Sequence, residues 1–348
     1  MEGSVSPFLD SLAWTRDGSA VVFVGGGVTW SGGLWRVTIT GDHAPERIAA
    51  TGEGAFTPAV AASRDRLAFT RAEFDADIYR FEAGRPVQLV IGSSFSESDP
   101  RLSPDVQRLV FASARSGGQN EDIWVADVDG SNPQQLTKGP GFNQGSPDWS
   151  PDGRRIVFDS RGDDHTTHVW IIDADGGTPH RLTTAADDQV RPTWSHDGQW
   201  IYFSGGRRDI FRVPAGGGDA KRLTNGAAGP FACESADGKN LLYQTKDADS
   251  PLMMMPLTGG QSRQLVACVK NSAFGVGPRG VYYVSCDPSP DPPLHVLDPK
   301  TGRDERLGTL DGMRDRPLGL SVSADGRTIV YARSVLSRAD LMLIENFR

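Results

Sequence analysis

The chain of 348 residues lacks any long hydrophobic run, and its first ten residues, MEGSVSPFLD, contain neither a basic start nor an apolar segment. A transmembrane helix needs about 20 predominantly apolar residues, and a secretory signal needs a basic start followed by an apolar run. The sequence therefore predicts a soluble protein with no membrane partner. A cytoplasmic location is expected unless the chain is an excised domain of a longer protein.

Cysteine is scarce, and positive charge is in the minority. Cys233, Cys268 and Cys286 are an odd number, lie far apart and show no CxxC spacing. They predict three reduced, mostly buried thiols rather than a disulfide framework or a metal site. Lysine and arginine number 36 against 44 acidic residues, which gives a net charge of -8. Sequence-independent binding of nucleic acid requires a basic surface, so we expect no nucleic-acid partner.

Turn residues are abundant, with 41 glycines and 23 prolines. In residues 145–183 they separate four short apolar runs that are rich in Val, Ile, Trp and Phe. Short runs of these residues bounded by Asp-Gly are typical of antiparallel strands joined by hairpins. The segment is therefore predicted to be a four-stranded β-meander.

The same unit recurs along the whole chain. The residue that ends the first strand of each copy recurs every 40 to 47 residues, a spacing typical of propeller blades. These residues are Trp14, Val60, Leu102, Trp149, Trp194, Glu234, Val276 and Val322. In seven of the eight copies an aromatic residue follows at a gap of nine. The copies span approximately residues 12–50, 57–91, 98–138, 145–184, 190–225, 230–267, 273–311 and 318–348.

The repeats predict an all-β fold: a closed β-propeller of four-stranded antiparallel blades, formed by residues 1–348 as a single domain and a monomer. Eight third strands are visible but only seven fourth strands. Because a missing strand would expose a sheet edge, we expect residues 1–11 to supply the eighth fourth strand. Eight blades are predicted, with seven as the alternative if the shortened copy at 273–311 forms no blade.

Three copies carry a recognisable motif at the end of the first strand. Trp149-Ser150-Pro151-Asp152-Gly153, Trp194-Ser195-His196-Asp197-Gly198 and Leu102-Ser103-Pro104-Asp105 resemble the WD40-like repeat of TolB-type β-propellers. The closing residues 339–348 resemble the end of propellers that form the C-terminal sensor part of winged-helix regulators or Ser/Thr kinases in soil bacteria. The resemblance implies a bacterial binding or scaffolding protein. This chain carries no such N-terminal effector, so it is expected to be either a stand-alone protein or an excised domain.

Strand order predicts two unlike faces if the first strand is innermost. Short turns between strands one and two, and three and four, share one face, here called the turn face. Longer loops between strands two and three, and between copies, share the other, here called the loop face. Variable loops on a rigid scaffold are where binding usually resides, so we place the site on the loop face, around the central channel.

Two sets of residues are candidates there. A basic residue follows the second strand in six copies, and an aspartate precedes the third strand in four: Arg71, Arg115, Arg161, Arg207, Lys246 and Arg333, with Asp77, Asp122, Asp209 and Asp340. A salt bridge that pins each loop is the simplest interpretation. Arg161 is the exception, because His168 replaces its aspartate, and an unpaired arginine could receive a carboxylate or phosphate. The nearby Asp163 and Asp164 could instead substitute.

The second set approaches the inner strand and comprises Asp99, Asp148, Arg191 and Phe231. These side chains could hold a peptide or a small polar ligand at the channel mouth. Alternatively, Asp99 and Asp148 could cap backbone amides between blades. The candidate binding residues are thus Arg71, Asp99, Arg115, Asp148, Arg161, His168, Arg191, Arg207 and Phe231.

Catalytic and metal-binding patterns are missing from the sequence. His165 and His168 form the one close histidine pair, and residues three apart on a strand point to opposite sides, so solvated loop histidines are expected rather than a metal site. No G-x-S-x-G elbow occurs. The sequence predicts a non-catalytic binding, sensor or scaffold module for a protein, a peptide or a small ligand, without cofactor or metal. The alternative is a metal-dependent hydrolase or lactonase-like enzyme acting at the channel mouth.

Overall fold

The computed structural model describes residues 12–25, 33–41, 44–52, 54–116, 120–139, 141–162, 164–206, 208–226, 228–313 and 319–347. The proposed closing strand at residues 1–11 and the candidate Arg207 lie outside these ranges. The described residues form 28 strands and one short 3-10 turn, Ala49–Thr51. In chain order the strands are β1 (Ala13–Trp14), β2 (Ala20–Gly25), β3 (Gly33–Thr38), β4 (Glu46–Arg47), β5 (Ala55–Val60), β6 (Arg66–Glu82), β7 (Gln88–Ile91), β8 (Glu97–Leu102), β9 (Arg108–Ser113), β10 (Asp122–Asp127), β11 (Gln134–Gln135), β12 (Phe142–Trp149), β13 (Arg155–Arg161), β14 (Thr167–Asp173), β15 (His180–Arg181), β16 (Gln189–Trp194), β17 (Trp200–Gly205), β18 (Asp209–Pro214), β19 (Lys221–Arg222), β20 (Ala232–Glu234), β21 (Asn240–Gln244), β22 (Ser250–Pro256), β23 (Arg263–Gly277), β24 (Gly280–Ser285), β25 (Pro293–Leu297), β26 (Asp304–Thr309), β27 (Leu320–Val322) and β28 (Thr328–Glu345).

The strands fall into two compact units. The first unit contains the described residues up to Asp75 together with those from Leu336 onward. Strands β1 to β4 form an antiparallel meander there, and β5 pairs with the first part of β6. Its core contains Val22, Leu34 and Phe69, which are nearly inaccessible to solvent.

The second unit, Ala76–Val335, contains the repeated sheets. Strands β8 to β11, β12 to β15, and β16 to β19 are three separate four-stranded antiparallel meanders. Strands β20 to β26 form one antiparallel sheet of seven strands. The four-stranded antiparallel sheets predicted from the repeats are therefore confirmed.

The seven-stranded sheet arises because the fourth strand of one predicted copy runs directly into the first strand of the next. The early part of β23 pairs with β22, for example Leu252 with Val266. Its later part pairs with β24, for example Phe274 with Tyr283. Two consecutive meanders thus share one strand.

Two predicted hairpins are wrong. Separate second and third strands were expected around Phe69 and Ile78, and around Tyr331 and Leu341, but β6 and β28 each run without interruption. Neither strand contains glycine or proline, the residues that most often permit a tight turn. Within the second unit, β27, β28, β6 and β7 are successive neighbours in one sheet, and Arg333 lies over the Tyr79 ring at 3.7 Å.

The first strands of the second unit lie side by side, as their predicted innermost position requires. The neighbours follow the order β8, β12, β16, β20, β23 and β27, and β27 also contacts β8. The last contact includes hydrogen bonds from Arg101 Nη1 to Leu320 O and from the Leu102 N–H to Ser321 Oγ, each 3.1 Å long. Apolar cores fill the space between successive sheets, and the repeated aromatics Phe111, Phe158 and Tyr331 are fully buried in them.

The prediction of three reduced thiols is wrong. Cys268 and Cys286 form a disulfide with Cα atoms 5.6 Å apart, and Cys233 carries the remaining thiol. The pairing of Val269 with Ser285 across β23 and β24 places the two cysteines opposite each other. A sequence separation of 18 residues does not reveal this proximity, because it depends on the register of two strands.

Candidate functional site

A local distortion recurs where the first strands begin on the loop face. Asp99, Ser146, Arg191 and Ser272 have positive φ angles between 49° and 56°, and each sits at an irregularity in the pairing of its strand. An extra residue of this kind turns a side chain away from the regular alternation of a strand. The distortion therefore presents a row of polar side chains at the loop face.

Acidic side chains gather at one part of this row. Burial, assisted by the nearby Asp99 carboxylate, raises the pKa of Glu121 to about 7. The same two causes raise the pKa of Asp159 to about 6. Glu97, which is completely buried, also contributes to the shift at Glu121. We call Glu97, Asp99, Glu121 and Asp159 the acidic cluster.

Arginines border the acidic cluster. The Arg191 backbone N–H donates to Asp159 Oδ2 at 2.7 Å, while its guanidinium Nη1 donates to Ser272 Oγ at 2.9 Å. Arg191 thus links β16 to β23, although β20 lies between them in the order of first strands. The Arg191 guanidinium thus reaches a first strand that is not adjacent to its own.

A second group lies further along the first strands. Asp148 Oδ2 accepts a 2.9 Å hydrogen bond from the Trp194 N–H of the next sheet, as the capping interpretation predicted. Burial raises the pKa of Asp148 to about 6, although the Arg101 charge opposes the shift. Arg101 also lies over the Phe231 ring at 5.3 Å. Asp148 therefore joins neighbouring sheets, whereas Arg101 and Phe231 come from sheets that are not adjacent in the order of first strands.

The predicted pairing of Arg115 with Asp122 is wrong. Arg115 Nη2 instead donates to Glu97 Oε1 at 2.9 Å, and the pair is largely buried. Asp122 accepts a 2.8 Å hydrogen bond from Gln135 Nε2. The two side chains do not meet because Arg115 bonds to a residue of the first strand, whereas Asp122 bonds to a residue of the fourth strand.

Asp209 behaves as Asp122 does. It forms an ion pair of 2.7 Å with Arg222, also on the fourth strand.

Two of the predicted cations have a buried nitrogen without a hydrogen-bond partner in the described part of the chain. Arg161 Nε is buried and has no hydrogen-bond partner in the described part of the chain, so Arg161 remains a candidate. The same is true of Arg71 Nε in the first unit.

The prediction that His168 is a solvated loop histidine is wrong, because only 1% of its surface is exposed. Its Nδ1 lies 3.0 Å from Gln189 Oε1 and its Nε2 lies 3.1 Å from Asp164 Oδ2. Arg181 Nη2 approaches the same ring to 2.7 Å. His168 thus connects the third strand, the fourth strand and the next sheet, while His165 is exposed.

The sequence patterns identified Asp99 and Arg191 but missed Glu97, Glu121 and Asp159. Glu97 begins a first strand, Glu121 directly precedes a third strand, and Asp159 lies near the end of a second strand. A weak signal existed, because Asp159 directly follows the repeated aromatic Phe158. In the described ranges, no group of three or more His, Cys, Asp or Glu side chains is arranged to hold a metal ion.

Comparison with known protein families agrees with this architecture. The family PD40, described as the TolB beta propeller domain, matches residues 140–317, which is about half of the chain. The chain belongs to the TolB-type β-propeller family. No curated protein sequence matches it.

Solved TolB-type and other propellers share the fold at low identity. TolB from Acinetobacter baumannii is 18% identical with a TM-score of 0.51, over 76% of this chain and 65% of that protein. A nidogen/laminin complex chain is 11% identical with a TM-score of 0.54, over 75% and 98%. A puromycin-hydrolyzing peptidase of Mycobacterium tuberculosis is 17% identical with a TM-score of 0.51, over 86% and 52%. These similarities show the fold alone. In the described residues no helix is long and apolar enough to cross a membrane.

Proposed function

We propose that this chain is a non-catalytic binding module that recognises a protein, a peptide or a small ligand at the channel mouth of its loop face. The observation that carries the proposal is the acidic cluster, in which burial and mutual repulsion raise the pKa of Glu121 and Asp159. Crowded, desolvated carboxylates destabilise a fold, and such groups concentrate at functional sites. A cationic group on the ligand would relieve this repulsion.

The channel itself is part of the proposal. We propose that the sheets of residues 76–335 form one closed propeller of six blades, whose closing blade is β27-β28-β6-β7. The contact of β27 with β8 supports this arrangement. A ring of all eight predicted copies would place two further blades between these strands. The eight-blade ring is therefore the less favoured arrangement.

Thermal shift with defined ligands tests the binding proposal. Peptides with a free N-terminal amine should raise the melting temperature, because a ligand that binds only the folded state stabilises it. Acetylated versions of the same peptides should raise it less. The Asp99→Asn and Glu121→Gln variant should lose the difference, while the exposed Asp129→Asn variant should keep it. Equal shifts for both peptide forms would contradict recognition of a cation.

A metal-dependent hydrolase or lactonase-like enzyme is the second candidate, because carboxylates are also the preferred ligands of hard cations. Calcium and manganese in the same assay separate the two functions. Stabilisation by either ion that disappears in the Asp99→Asn and Glu121→Gln variant would favour the enzyme. If neither ion changes the melting temperature, the non-catalytic binding module is the favoured function.

A further inference from the structure

The turn face carries an open groove of about 640 Å³ between the two meanders that share β23. The groove is separate from the acidic cluster, which lies at the opposite ends of the strands. Residues of both meanders line it, including Met254 and Arg263 from one and Val281, Val296 and Lys300 from the other. It therefore lies outside the site proposed above.

The groove exists because one turn is short. Six residues separate Trp149 from its partner Ile156 across the turn between the first and second strands. Only four separate Val276 from its partner Val281. Pro278 and Arg279 thus close the turn between the paired residues Gly277 and Gly280. This turn is too short to contact the turn of the preceding sheet.

Elsewhere on this face, the turns of neighbouring sheets touch. A Cβ atom added to Gly153, Gly198, Gly238 or Gly326 would lie 2.9 to 3.9 Å from a turn residue of the preceding sheet: Pro104, Pro151, His196 and Pro278 respectively. The atoms nearest Gly280 instead belong to Leu297 and Pro299 of its own sheet. The groove opens where this turn-to-turn contact is not made.

The charges around the groove do not balance. Arg263, Arg279, Lys300 and Arg303 line it with Asp237, Asp298 and Glu305. Asp237 and Asp298 accept hydrogen bonds from Ser235 Oγ and Thr301 Oγ1 within their own turns. Glu305 is shared by Arg279 and Arg303, at 2.7 and 3.5 Å.

The groove therefore carries one cation in excess of its carboxylates. The hydrogen bonds from Ser235 Oγ and Thr301 Oγ1 lower the pKa of Asp237 and Asp298, and the Lys300 charge adds to this effect, so this lysine lies near both carboxylates. Arg263 Nη2 donates to the Pro299 carbonyl oxygen at 3.1 Å. Neither Arg263 nor Lys300 forms an ion pair within the described part of the chain. Met254, Pro278 and Pro299, which keep exposed surface, add an apolar floor, while Val281 and Val296 are almost completely buried beneath it.

We propose that this groove binds an acidic peptide segment of a partner protein. Carboxylates of the segment pair with Arg263 and Lys300. An apolar side chain between them covers Met254, Pro278 and Pro299. The mixture of a cationic rim and an apolar floor fits a peptide, because a compact inorganic anion would use the cations alone. The excess of positive charge is local, since the whole chain has a net charge of -8.

Fluorescence anisotropy with a labelled peptide, acetyl-Glu-Asp-Leu-Asp-Glu-Leu, tests the proposal. Arg263→Glu combined with Lys300→Glu should weaken binding at least about tenfold, which corresponds to about 1.4 kcal/mol. A matched control, Arg154→Glu combined with Lys221→Glu, changes the net charge equally at exposed sites away from the groove and should bind as the wild type does. Replacing both leucines of the peptide by serine should also weaken binding.

Three outcomes would overturn the proposal: no binding by the wild type, equal weakening in the groove variant and its control, or indifference to the leucines. Displacement of the peptide by low concentrations of inorganic phosphate would assign the groove to a compact anion instead. Because Arg263 and Lys300 are exposed, both variants should fold, and an unchanged melting temperature checks this. The milder Lys300→Gln variant should give an intermediate loss.

Discussion

In residues 76–335, hydrogen bonds lower the pKa of the aspartates on the turn face, whereas burial raises the pKa of Glu121 and Asp159 on the loop face. Asp152 Oδ1 accepts from Ser150 Oγ at 2.6 Å and from the Arg154 N–H at 3.1 Å, and these bonds lower its pKa. Asp159, at the other end of β13, has its pKa raised to about 6 by burial. The charged carboxylate is thus favoured at one end of the strand. At the other end burial disfavours it, despite the hydrogen bond from the Arg191 N–H.

The two faces also differ in which of their features recur from sheet to sheet. The Ser-to-Asp hydrogen bond recurs in five turns of the second unit, formed by Ser103, Ser150, Ser195, Ser235 and Ser323. The acidic cluster occurs once. A feature needed by every sheet repeats with the sheet, so the turn aspartates serve the fold. A feature that appears once, and at a cost in stability, is better explained by binding.

The largest effect should come from breaking the one buried ion pair of the acidic cluster. Arg115→Met removes the 2.9 Å cationic partner of the buried Glu97 carboxylate, which keeps only hydrogen bonds from the neutral Ser93 and Ser113 hydroxyls. An uncompensated buried charge typically costs about 3–5 kcal/mol. Urea unfolding should show this loss, and adding Glu97→Gln should restore most of it. If the double variant were no more stable than Arg115→Met alone, the charge would not be the cause.

Reduction of the disulfide should have the next largest effect. Cys268 and Cys286 close a loop of 18 residues, and a loop of about this length is worth about 3 kcal/mol in the chain-entropy account. Unfolding in the presence of a reductant should therefore begin at lower urea. The Cys268→Ser and Cys286→Ser variant should match the reduced wild type and should not respond to reductant. If reductant still destabilised that variant, the destabilisation would not come from this disulfide.

A smaller effect should appear in the pH dependence of stability. The carboxyls of Glu121 and Asp159 have a pKa raised above the unfolded value, to about 7 and about 6. Their contribution is fully present below about pH 4 and is lost as the pH rises through these values. The turn aspartates, whose pKa is lowered, act in the opposite direction and lose their contribution as the pH falls below about 4.

The two opposed trends predict a stability maximum on the acidic side of neutrality, between about pH 4 and 5. Glu121→Gln combined with Asp159→Asn should flatten the decline between pH 5 and 8 by about 1–3 kcal/mol, since each pKa unit corresponds to about 1.4 kcal/mol. Asp152→Asn should leave that decline unchanged and alter only the acid limb. Melting temperatures across this range measure both. A wild-type maximum at pH 8 would contradict the assignment of the acidic cluster.

The contrast between the faces also explains what could be predicted from the sequence. The turn face is local: Ser150, Asp152 and Gly153 lie within four residues, so their spacing predicts the turn and the meander. The acidic cluster is not local, because Glu97, Glu121 and Asp159 meet only through the pairing and stacking of sheets. The disulfide and the groove beside Pro278 were missed for the same reason, although the shortened turn was visible as a two-residue deletion.

The smallest effect should come from a single turn. Ser150→Ala removes the hydroxyl that donates to Asp152 and accepts from the Arg155 N–H at 2.9 Å, and one hydrogen bond contributes about 0.5–1.5 kcal/mol. We expect Ser150→Ala to lose about 1–2 kcal/mol in urea unfolding and to bind ligands at the loop face as the wild type does. Ser150→Thr keeps the hydroxyl and is the matched control. Weaker binding by Ser150→Ala would show that the turn face and the loop face are coupled, because a turn that serves only the fold should not affect a ligand at the far end of the strands.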